Sequence, residues 1–304
     1  MMILPRPVHP GEQLRMIAVS GTVHEGDQAQ AVQKAREKIE SLGYPVIIDE
    51  SCYERYGYLT GTDEARARTL ENAFLDPDSA GIICFKGGFG CIRMVDLVDW
   101  ERIRKHPKAF VGYSDITTLH LAMQKLGLAS FHGPMGTSPL LKGRARESFV
   151  HALAGDAGRI SNPDGSAFKC LVSGRAEGCL MGGNLSLLSA ACGTAYFPDL
   201  GGAVLFIEEI GEYVYAVDRM LHQLELSGNL AHLSGLLLGA FTKCEPEHPD
   251  SFTLEEVIRP WAERLHIPVL AGVQAGHVDQ PLTLPLGRRI RMDAERGEVE
   301  VLEE

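Results

Sequence analysis

At 304 residues the chain is long for a single hydrophobic core, and two domains are expected. Its 45% hydrophobic and 23% charged residues exclude a disordered or fibrous protein, and a formal charge of −11 argues against a nucleic-acid partner, which draws on clustered Lys and Arg. The 7 cysteines show no C-x-x-C spacing and fall mostly in apolar runs, which fits packed thiols in a reducing cytoplasm better than a disulfide framework.

The first residues, Met1 to Pro7, contain no apolar h-region, so no secretory leader is expected, and no apolar run is long enough for a spanning helix. Met16 to Gly21 reads as a short strand, followed by a helix from about Asp27 to Leu42 and a second strand over Pro45 to Asp49. Thr62 caps a helix over Asp63 to Leu75, with Asp63 and Glu64 favourable in its first turn. Next come an apolar strand Gly81 to Phe85, a glycine-rich turn, a helix through Met94 to Val98 and a strand at Phe110. Such buried strands separated by helices predict a parallel sheet covered on both faces, with its site at the carboxyl ends.

Gly133 to Asp164 is richer in Gly, Pro, Ser and charge, with one helical piece near Arg146 to Leu153, and is taken as the crossing between domains 1–150 and 151–304. Beyond it, Gly178 to Leu188 reads as a turn opening a helix. A strand Ala203 to Glu208, a helix from about Val217 to Leu226 and a strand Gly235 to Phe241 follow. Thr253 and Glu256 have capping-box spacing before a helix that runs through Trp261 to Leu265. The alternating stretches Arg288 to Asp293 and Glu298 to Leu302 predict a terminal hairpin or edge strands.

Chemistry first suggests itself at Gly112-Tyr113-Ser114-Asp115, where a strand breaks and a helix begins. A serine on such a turn is lifted out of the sheet as a nucleophile, although Ile116 stands where the second glycine of G-x-S-x-G belongs. Capping the following helix is the commoner use of such a serine. Lys86-Gly87-Gly88-Phe89-Gly90 follows a strand and can point N–H groups at an oxyanion, or be merely a tight turn. Cys91, at a helix start, is a rival nucleophile or a packed thiol. Glu208, Glu209 and Glu212 end an apolar strand, where an acid needs a partner: a histidine to orient, or an arginine such as Arg219. His277, in a Gly-His loop, is a candidate base; His120 and His132 are others. No cluster has metal-ligand spacing, and no metal or cofactor is expected.

These motifs together resemble the LD-carboxypeptidase family, serine peptidases that include murein tetrapeptide carboxypeptidases and microcin C self-immunity proteins. The resemblance runs through Gly61 to Arg66, Lys86 to Gly90, Gly112 to Thr117, Gly182 to Leu185, Glu208-Glu209, Asp218 to Leu221, Gly276-His277 and Leu282 to Gly287. It implies an N-terminal parallel-sheet α/β domain, a C-terminal α+β domain and a site in the cleft between them. It further implies a Ser114, Glu208, His277 triad, an oxyanion hole from Asp115, Gly87 and Gly88, a small murein-derived peptide as substrate, and a homodimer. Lys86 stands where the family more often has arginine, and Glu208-Glu209 where it more often has Glu-Asp. The alternative activity is an amidase cleaving a peptidyl- or aminoacyl-adenylate analogue, with Trp100, Trp261 or a tyrosine as a platform for the base.

Overall fold

The computed structural model describes residues 2–23 and 26–303. Strands β1 (Leu14–Ile17), β2 (Val46–Ile48), β3 (Gly81–Cys84), β4 (Ala109–Gly112) and β5 (Ser130–His132) form the first sheet in the order β5-β4-β3-β1-β2, all parallel. The strand order reverses at β1, and chain crossings over both faces bury β3 and β4 along their whole length. Helix Asp63–Leu75 is capped by the Thr62 side chain, and helix Gln28–Ser41 by Asp27.

The second half supplies β6 (Gly158–Ile160), β7 (Lys169–Val172), β8 (Arg175–Asn184), β9 (Val204–Ile210), β10 (Gly235–Thr242), β11 (Val269–Ala271), β12 (Leu284–Leu286), β13 (Arg289–Asp293) and β14 (Glu298–Val301). All but β12 make an eight-stranded sheet, β6-β14-β13-β8-β9-β10-β11-β7, with β8 to β11 parallel at its centre and antiparallel strands on either side. β12 instead crosses back and pairs antiparallel with β5, so the second half of the chain edges the first sheet. The mixed α/β architecture is thus two sheet-based domains, with one strand from the second half of the chain lying at the edge of the first sheet.

Two elements differ from the sequence reading. Arg175–Asn184 is a ten-residue strand, not a turn. Its glycines serve close approach: a Cβ on Gly182 would lie 2.1 Å from the Phe206 carbonyl oxygen and one on Gly178 would lie 2.2 Å from that of Gly202. The helix after the glycine turn begins earlier, at Cys91, and after Met94 tightens into a 3₁₀ turn over Val95–Leu97. The capping box at Thr253 and Glu256 and the β13-β14 hairpin form.

The two sheets meet near the ends of β4 and β8. The Asn184 N–H donates to Thr117 Oγ1 at 3.0 Å and the Gly182 N–H to Gln124 Oε1 at 3.3 Å. Gly183 is pressed so close that an added Cβ would stand 2.6 Å from Thr117 Oγ1. This docking brings the helix behind Ser114 against the strand pair that carries Glu208.

Candidate active site

Ser114 follows β4 with φ 63, a left-handed conformation that costs a residue with a Cβ about 1–2 kcal/mol. It opens a 3₁₀ turn, Ser114–Ile116, that leads directly into helix Thr117–Lys125. The cap position of that helix is Ile116, and among the described residues the Ser114 hydroxyl makes no hydrogen bond to the turn, so it does not serve as a helix cap. The turn is braced from behind. His120 Nε2 donates to the Gly112 carbonyl at 2.9 Å, and Ile116 packs where a Cβ on Gly112 would stand 2.8 Å from its Cγ2. The bulky residue in place of the second motif glycine is therefore accommodated by the first.

The glycine turn faces Ser114. A Cβ on Gly87 would lie 3.0 Å from Ser114 Cβ and 3.2 Å from Oγ, so only glycine lets the two segments touch without displacement. Gly88, at φ 124, sits over Gly21, whose N–H donates to the Gly87 carbonyl. Lys86 is half-buried beside them, and among the described residues it has no ion pair. Burial lowers the pKa of its amine, opposed by the nearby Asp115 carboxylate.

Asp115 is buried, and its side chain ties the site together. Oδ2 accepts from Ser20 Oγ and from the Cys91 N–H at 2.9 Å. Cys91 is wholly buried, and burial together with Asp115 pushes its thiol well above the usual range, the opposite of what helix-start activation requires. The rival nucleophile is thereby a packed thiol.

From the other sheet, β9 places Glu208 and Glu209 on opposite faces. Glu208 Oε2 accepts from His277 Nδ1 at 2.8 Å. Burial would raise the Glu208 pKa, but the imidazoles of His132 and His277 outweigh it and hold the carboxyl at about 2. Gly276, at φ 100, makes this approach possible, since a Cβ there would lie 2.3 Å from Oε2. Thr242 Oγ1 donates to the His277 carbonyl at 2.7 Å and anchors the loop. Glu209 instead accepts from Ser186 N and Oγ, both at 2.7 Å, from the Asn184 amide and from the Ile210 N–H. It secures the start of helix Leu185–Ala191 and does not reach His277. Glu212 lies past the end of β9, and Arg219 makes no ion pair among the described residues, so the expected Glu–Arg bridge is absent.

The two halves converge through Tyr113. Its ring lies 4.7 Å from that of His277 and 5.9 Å from that of His132, centroid to centroid. His277 is thus carried to the residue preceding Ser114, although no direct hydrogen bond joins Ser114 to His277 among the described residues. With Nδ1 committed to Glu208, the free ring nitrogen is Nε2. His120 is buried and neutral, burial pushing its pKa down to about 3, and it has no role as a base. Tyr113 was not legible as a site residue; its only signal is its place beside Ser114. Trp261 is buried among hydrophobic side chains of the second half of the chain and Trp100 donates its Nε1–H to the Val95 carbonyl, so neither is a free platform. Among the described residues no His, Cys, Asp and Glu cluster could hold a metal, and no helix is long and apolar enough to cross a membrane.

Residues 14–133 match the LD-carboxypeptidase N-terminal domain and residues 177–292 the LD-carboxypeptidase C-terminal domain. A probable murein peptide carboxypeptidase of Bacillus subtilis is 35% identical over 299 residues, 95% of this chain and 91% of its own. The microcin C7 self-immunity protein MccF of Escherichia coli is 26% identical over 303 residues, covering 88% of this chain and 87% of its own. The crystal structure of muramoyltetrapeptide carboxypeptidase from Oxalobacter formigenes superposes with a TM-score of 0.84 at 30% identity, covering 95% of this chain and 97% of that one. The chain belongs to the LD-carboxypeptidase family of serine peptidases.

Proposed function

We propose that the protein hydrolyses an amide joining an L-centre to a D-residue, releasing terminal D-alanine from a murein tetrapeptide, with Ser114, Glu208 and His277 as its triad. The observation that carries this is the bond from His277 Nδ1 to Glu208 Oε2, held against the ring of the residue that precedes a strained serine. Ser114 Oγ attacks the scissile carbonyl while His277 Nε2 takes its proton and returns it to the leaving amine. Glu208, ionised at neutral pH, fixes the tautomer and stabilises the imidazolium. Backbone N–H groups of Asp115 and of Gly87 and Gly88 receive the oxyanion. The half-buried Lys86, without an ion pair among the described residues, supports a terminal-carboxylate contact beside the scissile bond.

Incubation with the tetrapeptide, read by mass spectrometry, tests the reading. Wild-type protein should release alanine and Ser114→Ala should lose at least about 10⁴-fold in rate. Replacing the terminal carboxylate by a carboxamide should raise KM. No alanine release by folded wild-type protein sinks the substrate assignment. The exposed Tyr58 and Phe89 rings, 5.9 Å apart at the glycine turn, favour a second reading, an amidase for peptidyl- or aminoacyl-adenylate analogues in which a base stacks there. Competing both substrates in one assay separates the two.

A further inference from the structure

We propose that His132 is a positioning residue that clamps the free oxygen of the Glu208 carboxylate, so that the acid of the triad is oriented only when the two sheets are docked. The proposal rests on reading Glu208 as that acid. His132 ends β5, level with Gly112 on β4, and is 1% exposed, so it does not meet substrate. Its Nε2 lies 3.8 Å from Glu208 Oε1, the oxygen that His277 leaves unused. That separation is too long for a hydrogen bond, and neither His132 nitrogen nor Glu208 Oε1 has a hydrogen-bond partner. Two buried orphan atoms, Nε2 as a potential donor and Oε1 as an anionic acceptor, thus face each other.

A closure of about 1 Å would turn this contact into a charge-assisted hydrogen bond. His132 is held for it by edge-on packing against Phe206 at 4.9 Å and Tyr113 at 5.9 Å. The titratable groups around it are Glu208, His120, whose ring is 6.4 Å away, and the Tyr113 phenol; His277 stands on the far side of the carboxylate. With that closure Glu208 is gripped between two imidazoles, one from each half of the chain: His277 on Oε2 and His132 on Oε1. A carboxylate so gripped cannot rotate its plane away from His277, and that is how a buried residue in the first sheet sets the alignment of a base in the second.

A double-mutant cycle on the full chain tests this. His132→Phe keeps the ring shape and removes the donor; it should lower kcat by about 10–100-fold, the range typical of outer hydrogen-bond partners, with KM within about 2-fold. His132→Gln, whose amide nitrogen reaches the place of Nε2, should recover most of that loss, whereas the shorter His132→Asn should not. In the Glu208→Gln background, His132→Phe should cost almost nothing further, because the clamp has lost its charge. Wild-type kcat in His132→Phe, equal rates in the Gln and Asn variants, or a full extra loss in the double variant would each overturn the proposal. Should His132→Phe fail to fold, the Gln against Asn comparison decides alone. An active Glu208→Gln enzyme would overturn the triad itself, a different result from an unaffected His132→Phe.

Discussion

β4 and β9 are both apolar strands buried almost throughout, and each ends at the site, yet they deliver their residues by opposite means. At the end of β4 the main chain does the placing. Ser114 is held at φ 63, Gly87 gives way to its side chain, and His120 pins the Gly112 carbonyl. At β9 the main chain is ordinary strand and the side chains do the placing: Glu208 meets His277, while Glu209, one residue on, takes four hydrogen bonds on the other face. The seat of Ser114 is thus defined by shape and that of the Glu208–His277 pair by charge. A substitution that changes one without the other should hurt only its own side.

The largest expected effect comes from removing charge without shape. Glu208→Gln should lower kcat by about 10³–10⁴-fold, because the amide presents the wrong partner to His277 and does not stabilise its cation. Glu209→Gln, the same chemical change one residue along, should leave kcat within a few-fold and lower the unfolding midpoint, since it loosens the start of helix Leu185–Ala191. Steady-state rates and thermal melts of the two variants, side by side, are the check. Equal loss of kcat in both would mean that the two faces of β9 are not functionally distinct.

Changing shape without charge comes next. Gly87→Ala places a methyl 3.2 Å from Ser114 Oγ and 3.3 Å from Met135 Cε, in a turn with little room to retreat. The displaced serine or oxyanion donor should cost about 10²-fold in kcat, the scale of a 1 Å misplacement or a lost donor. Labelling of Ser114 by an organophosphonate, followed by intact mass, should slow in parallel. Normal turnover in Gly87→Ala would show that the turn does not seat the serine.

This contrast also explains what the sequence revealed. Features fixed by local rules were readable: the Thr62 and Thr253 caps, the helix Asp63–Leu75 and the run of buried parallel strands in the first half. Features fixed by a distant partner were not. The glycines of Arg175–Asn184 signal turns in isolation, and only the close approach of β9 shows why a strand needs them. β12 is three residues with a central proline and belongs to the other half's sheet, so neither period nor composition marks it. Glu208 and Glu209 are equivalent in sequence, and the choice between them depends on a histidine 69 residues away. Ser114 draws notice because a strand, a glycine and a helix start adjoin it, although a helix cap is the commoner use of such a segment; Glu208 and His277 are singled out beside it only through the resemblance to a known order of motifs.

The smallest effect probes the brace behind the serine through pH. Gly112 offers His120 only a carbonyl, so Nε2 carries the proton, and Nδ1 then accepts from Ser130 Oγ at 2.9 Å. A second proton on the ring would break that arrangement inside the core, and burial, the leading cause, moves the folded pKa from 6.5 down to about 3. Between those values the unfolded chain binds a proton that the folded one refuses. The stabilisation is therefore full above pH 6.5 and is lost as pH falls through the folded pKa near 3, at no more than about 1.4 kcal/mol per pH unit. His120→Gln can still donate to Gly112 but does not titrate. Urea unfolding followed by Trp100, which lies in the first domain, should thus fall more steeply with acid in the wild type than in His120→Gln, by about one proton between pH 6 and 4. Parallel lines would mean that the imidazole is free to charge in place, and that the Gly112 carbonyl is not held by a neutral ring.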